Sequence, residues 1–297
     1  MKFVSPSFKI IENQNKLKTV EYCARLCYKS DDKIAEDSYK RFCLARFKEK
    51  HYAIFEHANF VFELVIKENL RNFFEKIEDL YGINYLYKEN SFFVNFNLRH
   101  IFEMCDKGDF EFYNLLPEQY KIFYPDASEQ KESNFVLLTD GNINAYSVIF
   151  GDEFKDKFTF KTISLSCQRS VWDELARHRN NALCCESSRY CTYSKENFGG
   201  EVSFSYPHWF NHENEGFNEK LLKSNCLDAE KQYMGLLEKG LKAQDARYVL
   251  PLGYNVNCVV TASLKQWKHI LELRTSNAAH PDIKEIMIKI KKALFHE

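Results

Sequence analysis

Fourteen consecutive residues, RHRNNALCCESSRY at positions 177 to 190, concentrate side chains that could do chemistry. They include Arg177, Arg179 and Arg189 together with a histidine, two serines and two adjacent cysteines. Guanidinium groups this close repel one another unless an anion lies among them, and their planar forks suit phosphate and carboxylate oxygens. The motif therefore predicts an anion site, which serine hydroxyls and backbone N–H groups would complete.

A second interpretation of the same motif needs no ligand. The acidic residues Asp173, Glu174 and Glu186 lie close enough in sequence to pair with the arginines. Spacing alone does not choose between an anion site and a purely structural ion-pair cluster.

The overall charge favours a small anion over a nucleic acid. The chain has 41 basic and 42 acidic residues in 297, a formal net charge of -1, so no global positive field surrounds the motif. The N-terminal stretch is polar and contains Pro6, and no run approaches 18 apolar residues. We therefore expect a cytoplasmic protein that binds neither nucleic acid nor membrane.

The ten cysteines do not have the spacing of a metal site. None of them forms a CxxC pair, and Cys23 and Cys27, at i,i+4, are followed by no second pair with zinc-like spacing. We expect reduced, buried thiols and no metal site.

Several elements must position the motif. Hydrophobic periodicity and breaker residues predict the following elements: helices at 16–28, 36–50, 170–179 and 218–249 and from about 282, and strands at 59–66, 158–166 and 255–261. Ser170 and Asp173 form a capping-box pattern before the motif, and Asn180 and Asn181 suit the left-handed end of that helix.

The composition of the segment 67–157 differs from that of the flanking sequence, which indicates an insertion. It is rich in aromatic residues, mixes short helices with strands, and contains a predicted hairpin that turns near Asp140 and Gly141. We expect a single domain over 1–297, with 67–157 inserted into it.

The residues Arg177, His178, Arg179, Ser187, Arg189 and Tyr190 together resemble the signature of flavin-dependent thymidylate synthases, an RHR followed by seven residues and a serine. Segments similar to other family motifs occur in the family's order at 23–30, 51–57, 245–253 and 263–274. The resemblance implies an α+β fold whose central, mostly antiparallel sheet is flanked by helices, with an α/β insertion.

The resemblance also implies which residues form the site. The catalytic group would be Arg274, His51 and Ser187. The dUMP site would comprise Glu174, Arg177, Ser187, Ser188, Arg189, Arg247 and Arg274. The FAD site would comprise Arg177, His178, Arg179, Cys185, Ser263, Lys265 and His269. Arg274 would face the uracil ring and stabilise negative charge on it.

The reaction implied is the reductive methylation of dUMP to dTMP. FAD would be the cofactor, with NADPH and methylenetetrahydrofolate as co-substrates, and no cysteine nucleophile is required. The family's sites lie between subunits, so the resemblance implies a homotetramer.

Five positions depart from the family pattern: Ala182, Cys184, Cys185, Ser263 and Lys265. Asn97 and Arg99 in the insertion echo the Asn-x-Arg element that residues 263–265 have lost, although a strand running into a helix explains the same letters. Two alternatives follow from the departures. The protein could modify a pyrimidine differently, for instance by hydroxymethylation near the paired thiols, or it could be a catalytically inactive nucleotide-binding paralogue.

Overall fold

The fold is described by a computed structural model, which covers residues 1–12, 15–65, 70–127 and 133–296. Its strands are β1 Lys2–Val4, β2 Ser7–Ile11, β3 Asn59–Val65, β4 Tyr85–Lys88, β5 Ser91–Asn97, β6 Phe135–Leu138, β7 Phe160–Gln168, β8 Ala182–Cys185, β9 Ser203–Ser205 and β10 Asn255–Ser263. Its α-helices are α1 Lys16–Cys27, α2 Ser38–Lys48, α3 Arg71–Ile77, α4 Leu98–Asp106, α5 Glu111–Asn114, α6 Asp140–Phe150, α7 Asp152–Phe158, α8 Arg169–Leu175, α9 Phe217–Glu238, α10 Ala243–Ala246, α11 Leu264–Arg274 and α12 Pro281–Phe295. The expected α+β class is confirmed.

A four-stranded antiparallel sheet, in the order β2-β7-β10-β8, forms the centre of the molecule. Strands β7 and β10 lie in the middle of this sheet and are buried along most of their length. Helices α8, α9, α11 and α12 contribute side chains such as Trp172, Tyr233, Trp267 and Met287 to the same core. The predicted central sheet flanked by helices is therefore confirmed.

A second antiparallel sheet, in the order β4-β5-β3-β6, takes β4, β5 and β6 from the predicted insertion 67–157 and β3 from the chain before it. Strand β3 pairs along its length with β5 and in part with β6, so this sheet begins at Asn59. Ile66, the last residue of the predicted strand, lies outside the described residues. The insertion mixes helices and strands as expected, and its strands are antiparallel.

The insertion shares its hydrophobic core with the N-terminal helices. Leu17 of α1 and Cys43 of α2 are fully buried in one cluster with Phe62 of β3 and with Phe96 and Phe102 of the insertion. The aromatic rings meet mostly edge to face, the arrangement that ring quadrupoles favour. Neither part buries its apolar surface without the other.

Two predicted elements are wrong. The stretch after β6 is a helix and not a hairpin, because Thr139 accepts a hydrogen bond from the backbone of Asn142 and caps α6. The long predicted helix 218–249 ends at Glu238, where Gly240 takes a left-handed φ of 93° and breaks it. The part of the chain that the structure describes contains no helix long and apolar enough to cross a membrane.

Candidate active site

The RHR residues lie in the turn between α8 and β8. The predicted helix to Arg179 is too long, since α8 ends at Leu175. Asn180 has a φ of 63°, the left-handed conformation expected of it, and turns the chain into β8. Gln168, not Ser170, precedes the first turn of α8, so the predicted capping box does not form.

This turn and one side of α11 enclose a cavity of about 380 Å³, which we call the helix-end cleft. Its lining residues are Arg177, His178, Arg179, Asn180, Gln266, His269, Leu273 and Arg274. Gln266 donates a hydrogen bond of 2.7 Å to the carbonyl oxygen of Arg179 and so fixes the turn to the helix. Residues that the sequence assigned to both the nucleotide and the flavin therefore share one cleft.

Arg274 is the centre of the hydrogen bonds in this cleft. Its Nη1 donates to Glu174 Oε2 at 2.6 Å, its Nη2 to the Glu174 carbonyl oxygen at 2.9 Å, and its Nε to His178 Nε2 at 2.9 Å. A guanidinium has five N–H donors, so two remain for a ligand. The side chain is about one-fifth exposed, which leaves it reachable from the cleft.

His178 is held neutral by its surroundings. Burial, together with the nearby charge of Arg274, lowers the pKa of His178 to about 4. Because Nε2 accepts a hydrogen bond from Arg274, the proton of the neutral ring is on Nδ1. At neutral pH the Arg274 guanidinium is therefore in direct contact with an uncharged imidazole.

A second set of predicted residues, which we call the serine-loop group, comprises Ser187, Ser188, Arg189 and Arg247. Arg247 Nη1 donates to the buried Ser188 hydroxyl at 3.1 Å. The backbone N–H of Ser187 donates to the Cys27 carbonyl at 2.9 Å, which attaches this loop to the end of α1. Arg189 is exposed, and its guanidinium lies 5.5 Å from the centroid of the neighbouring Tyr190 ring.

Within one chain, β8 separates the two sets. The register pairs Ala182 at one end of β8 with Thr261, near the start of α11, and Cys185 at the other end with Cys258. A strand of four residues spans roughly 13 Å. The helix-end cleft and the serine-loop group therefore lie at opposite ends of the same strand.

The acidic residues that could have neutralised the arginine motif have other partners. Asp173 pairs with Arg169 at 2.9 Å, Glu174 with Arg274 at 2.6 Å, and Glu186 with Lys29 at 3.4 Å. Among the described residues, Arg177, Arg179 and Arg189 form no ion pair, and all three are exposed. The structural ion-pair alternative is therefore wrong, and the charges of the motif are available to a ligand.

The paired cysteines of the motif are not activated nucleophiles. A hydrogen bond to Cys27, with burial, raises the pKa of the Cys184 thiol, and burial raises the pKa of Cys185. The same hydrogen bond lowers the pKa of Cys27, which is itself largely buried. Both motif cysteines stay protonated at neutral pH, in keeping with a reaction that needs no cysteine nucleophile.

The remaining predicted residues lie around these two groups. Ser263 is buried and caps α11 by accepting a hydrogen bond of 3.3 Å from the Gln266 backbone. Lys265 and His269 are exposed, one turn apart on α11. His51 is exposed before a turn of 3-10 helix at 52–57, with its Nδ1 3.9 Å from Glu49.

Residues of the insertion lie near the motif, but the arginine among them, Arg99, is already paired with carboxylates. Asn97 ends β5 and caps α4, so the strand-into-helix explanation of the Asn-x-Arg letters is correct. Arg99 borders a cavity of about 400 Å³ that also touches residues 180–182, yet its guanidinium is bound by Glu56 and Glu103. Its charge is already compensated, which opposes a role in replacing the lost flavin-side arginine.

Three residues of the site were not anticipated from the sequence. Gln266 lines the helix-end cleft, while Lys29 and Asn257 bind the buried Glu186 carboxylate beside the serine loop, the Asn257 amide at 3.0 Å. Gln266 lies at i+3 from Ser263 in a motif already recognised, so its position on the helix could have indicated it. Lys29 lies in the segment 23–30 that resembles a family motif, whereas nothing in the local sequence marks Asn257.

Comparison with known proteins matches the C-terminal half of the chain. Residues 157–296 match the family model of the thymidylate synthase complementing protein. The flavin-dependent thymidylate synthase of Pyrococcus abyssi is 30% identical over 132 residues, which cover 44% of this chain and 52% of that protein. The Halobacterium salinarum enzyme of the same name is 26% identical over 181 residues, covering 54% of this chain and 70% of that protein. The match thus spans about half the length of the Pyrococcus relative.

Two solved structures resemble the chain at low overall similarity. The UMP/dUMP methylase PolB from Streptomyces cacaoi, bound with 5-Br dUMP, has a TM-score of 0.41 at 14% identity and covers 99% of this chain and 92% of that one. Thymidylate synthase X from Helicobacter pylori, with FAD and dUMP, has a TM-score of 0.38 at 20% identity, covering 51% of this chain and 74% of that one.

Proposed function

We propose that this chain is a member of the flavin-dependent thymidylate synthase family and an enzyme that converts dUMP to dTMP. The observation that supports the proposal is that Arg177, Arg179 and Arg189 form no ion pair with any residue that the structure describes. Three exposed arginines lie in the family signature, and the neighbouring carboxylates are bound by Arg169, Arg274 and Lys29 instead. A nucleotide phosphate is the anion that such a group would bind.

The proposed dUMP site uses both groups of residues. Ser187, Ser188, Arg189 and Arg247 would bind the phosphate, since they offer two hydroxyls and two guanidiniums in one loop region. Glu174 orients Arg274 toward the pyrimidine ring, where the two free N–H donors of that guanidinium would stabilise negative charge on the ring oxygen. His51 remains a proposed catalytic residue on the basis of the family resemblance.

The donor set around the helix-end cleft fits the anionic part of a flavin nucleotide. Arg177, Arg179, Lys265 and His269 are all exposed around it. His178 is uncharged and would offer a neutral hydrogen-bonding ring. FAD bound there would supply the redox and one-carbon transfer chemistry, with NADPH as reductant and methylenetetrahydrofolate as carbon donor.

A homotetramer explains why the two groups of residues are apart in one chain. The cleft and the serine-loop group lie at opposite ends of β8, a strand of roughly 13 Å, so the ring and the phosphate of one dUMP would contact these two groups from different chains. A second copy would bring its serine-loop group to the cleft of the first. We expect light scattering to give four chains per particle and site variants of different groups to complement each other in mixed oligomers.

The test of function is a visible spectrum of the purified protein followed by turnover. We expect flavin absorbance, and tritium release from 5-labelled dUMP that requires methylenetetrahydrofolate and NADPH. Arg177→Gln and Arg189→Gln should weaken dUMP binding, whereas Arg169→Gln, which removes the ion pair with Asp173 and a hydrogen bond to the Tyr254 hydroxyl, should not. A protein without flavin even after reconstitution would contradict the proposal.

The same experiment separates the two alternatives. A colourless protein that binds dUMP without turnover would be the inactive nucleotide-binding paralogue. A product heavier than dTMP by one oxygen would indicate hydroxymethylation, although the protonated Cys184 and Cys185 thiols give that reaction no support.

A further inference from the structure

We propose that His208, His280 and Asp282 form a binding site for one divalent transition-metal ion, with Zn²⁺ as the best fit. The site is separate from the proposed nucleotide and flavin residues and does not depend on their function. His208 follows β9, whereas the other two residues lie at the start of α12. No motif in the sequence marks this site, because 72 positions separate the two histidines.

The ligand atoms have the separation that a zinc site needs. His208 Nδ1 lies 3.0 Å from Asp282 Oδ1, and His280 Nδ1 lies 3.7 Å from Asp282 Oδ2. Each of the three residues has one possible ligand atom that lies within 4.8 Å of those of the other two. Zn–N and Zn–O bonds of about 2.1 Å in a tetrahedron place neighbouring ligands about 3.4 Å apart, and each histidine nitrogen lies near that separation from one of the two oxygens of the Asp282 carboxylate.

The surroundings hold the carboxylate in place before any ion binds. The Asp282 side chain is only 10% exposed, and its Oδ1 also accepts a hydrogen bond of 2.7 Å from the His208 backbone N–H. A turn closed by a hydrogen bond from Phe210 N to the Pro207 carbonyl oxygen fixes the chain that carries His208. Two of the three ligands are therefore already oriented toward each other.

The site remains open on one side. His280 is 57% exposed and His208 30% exposed, so water or another small ligand can complete the coordination. Two neutral imidazoles and one carboxylate give a donor set of one negative charge, which suits a divalent cation. An ion would replace the present His208 to Asp282 hydrogen bond and the long bond, 3.3 Å, from the Asp282 N–H to His280 Nδ1.

A bound ion would join two parts of the molecule that are distant in sequence. The segment around residues 206–212 would be tied to the N-terminus of α12, whose other side packs into the central core through Ile283 and Met287. Because the ion binds only the folded arrangement, it should raise the melting temperature.

The experiment is a titration of the untagged, full-length protein with Co²⁺, a spectroscopic probe, followed by displacement with Zn²⁺. We expect one Co²⁺ per chain, with visible d–d bands and no thiolate charge-transfer band in the near ultraviolet. Difference spectra against the same sample without cobalt remove any flavin absorbance. Zn²⁺ should abolish the bands and raise the melting temperature.

Three variants and one control locate the ion. His208→Gln, His280→Asn and Asp282→Asn should each weaken binding at least tenfold, since loss of an outer partner alone costs 10–100-fold. Asn at position 280 keeps a helix-capping side chain, so that variant should fold normally. His296→Asn, at the other end of the same helix, should bind as the unchanged protein does.

Three results would overturn the proposal. They are the absence of saturable Co²⁺ binding, a thiolate charge-transfer band that assigns the ion to cysteines, and affinity that stays unchanged in the His280→Asn variant. None of them bears on dUMP or flavin binding, so failure here leaves the proposed function intact.

Discussion

At the scale of single residues, the arrangement of Glu174, Arg274 and His178 is the most informative feature. Each residue was predicted from the family resemblance, but their mutual hydrogen bonds were not. The guanidinium depends on a carboxylate for its orientation, and burial together with the charge of the guanidinium lowers the pKa of the adjacent imidazole and keeps it neutral. Such a unit places a fixed positive charge beside an uncharged ring, an arrangement suited to stabilising a substrate that becomes anionic.

Replacing Arg274 tests this unit. In Arg274→Gln we expect turnover to fall by about 10²–10³-fold, the usual cost of losing one preorganised electrostatic donor. The pKa of His178, which burial and then the Arg274 charge hold at about 4, should rise, as NMR titration of the imidazole would measure. Arg169→Gln is the control, because Arg169 is not part of the cleft. Turnover within tenfold of the unchanged protein would contradict the assigned role.

A second residue-scale prediction concerns His57 and acid stability. His57 is 4% exposed, its Nδ1 lies 2.7 Å from Thr261 Oγ1, and burial lowers its pKa to about 3. Between pH 6.5 and 3 the unfolded chain therefore binds more protons at this position than the folded one. The stabilisation is complete above pH 6.5 and is lost as the pH falls through that window, at up to about 1.4 kcal/mol per pH unit.

Denaturant unfolding at pH 7.5 and pH 5 measures this effect. His57→Gln should reduce the loss of unfolding free energy between the two pH values, whereas His296→Asn, at an exposed position, should leave it unchanged. Burial also lowers the pKa values of His178 and His100 to about 4, so these two residues make the unfolding free energy fall with pH in the same direction in both variants. An unchanged slope in His57→Gln would show that its ring is protonated in the fold.

At the scale of elements, β8 determines how the site is divided. Its pairing with β10 sets the RHR turn at one end and the serine loop at the other. The turn itself depends on a residue that tolerates a left-handed backbone, and Asn180 supplies it. Gln266 of α11 then binds the turn from the other side.

The backbone of Asn180 gives a test at this scale. Asn180→Ala should lower the unfolding free energy by about 1 kcal/mol, since a Cβ without a polar side chain is unfavourable at positive φ. Asn180→Gly should be neutral or slightly stabilising, because glycine adopts this conformation readily. Denaturant unfolding of the two variants side by side measures the difference, and equal stability would mean that the turn relaxes to another conformation.

At the scale of the whole molecule, we propose that the insertion unfolds cooperatively with the rest of the chain. Residues of α1 and α2 complete the aromatic core of the second sheet, and the 3-10 turn at 52–57 packs against both α4 and β8. Strand β3 leaves this turn to build the second sheet, and the chain returns through α7 to β7. A boundary drawn at residue 67 would cut through that sheet.

Calorimetry with and without dUMP tests whether the unit is single. Phe102 is fully buried among Phe47, Phe55 and Phe123, so Phe102→Ala should cost about 3–5 kcal/mol. We expect one unfolding transition, shifted down by the substitution and up by dUMP in both proteins. Two transitions, of which only one responds to dUMP, would instead show an independently folding insertion.

The sequence by itself determined the α+β class, the central antiparallel sheet and the residues that bear the charge, and it carries the resemblance to the flavin-dependent thymidylate synthases. These follow from local signals, because a signature of fixed spacing and strand periodicity are properties of adjacent positions. The sequence could not show which carboxylate pairs with each arginine, since Arg274 and Glu174 are 100 positions apart in sequence. Asp173 pairs with Arg169 one turn away on α8, but tertiary packing decided that Glu174 binds Arg274 and Glu186 binds Lys29, because partners distant in sequence are chosen by distance in space. Among the residues that the structure describes, Arg177, Arg179 and Arg189 are left without an ion pair.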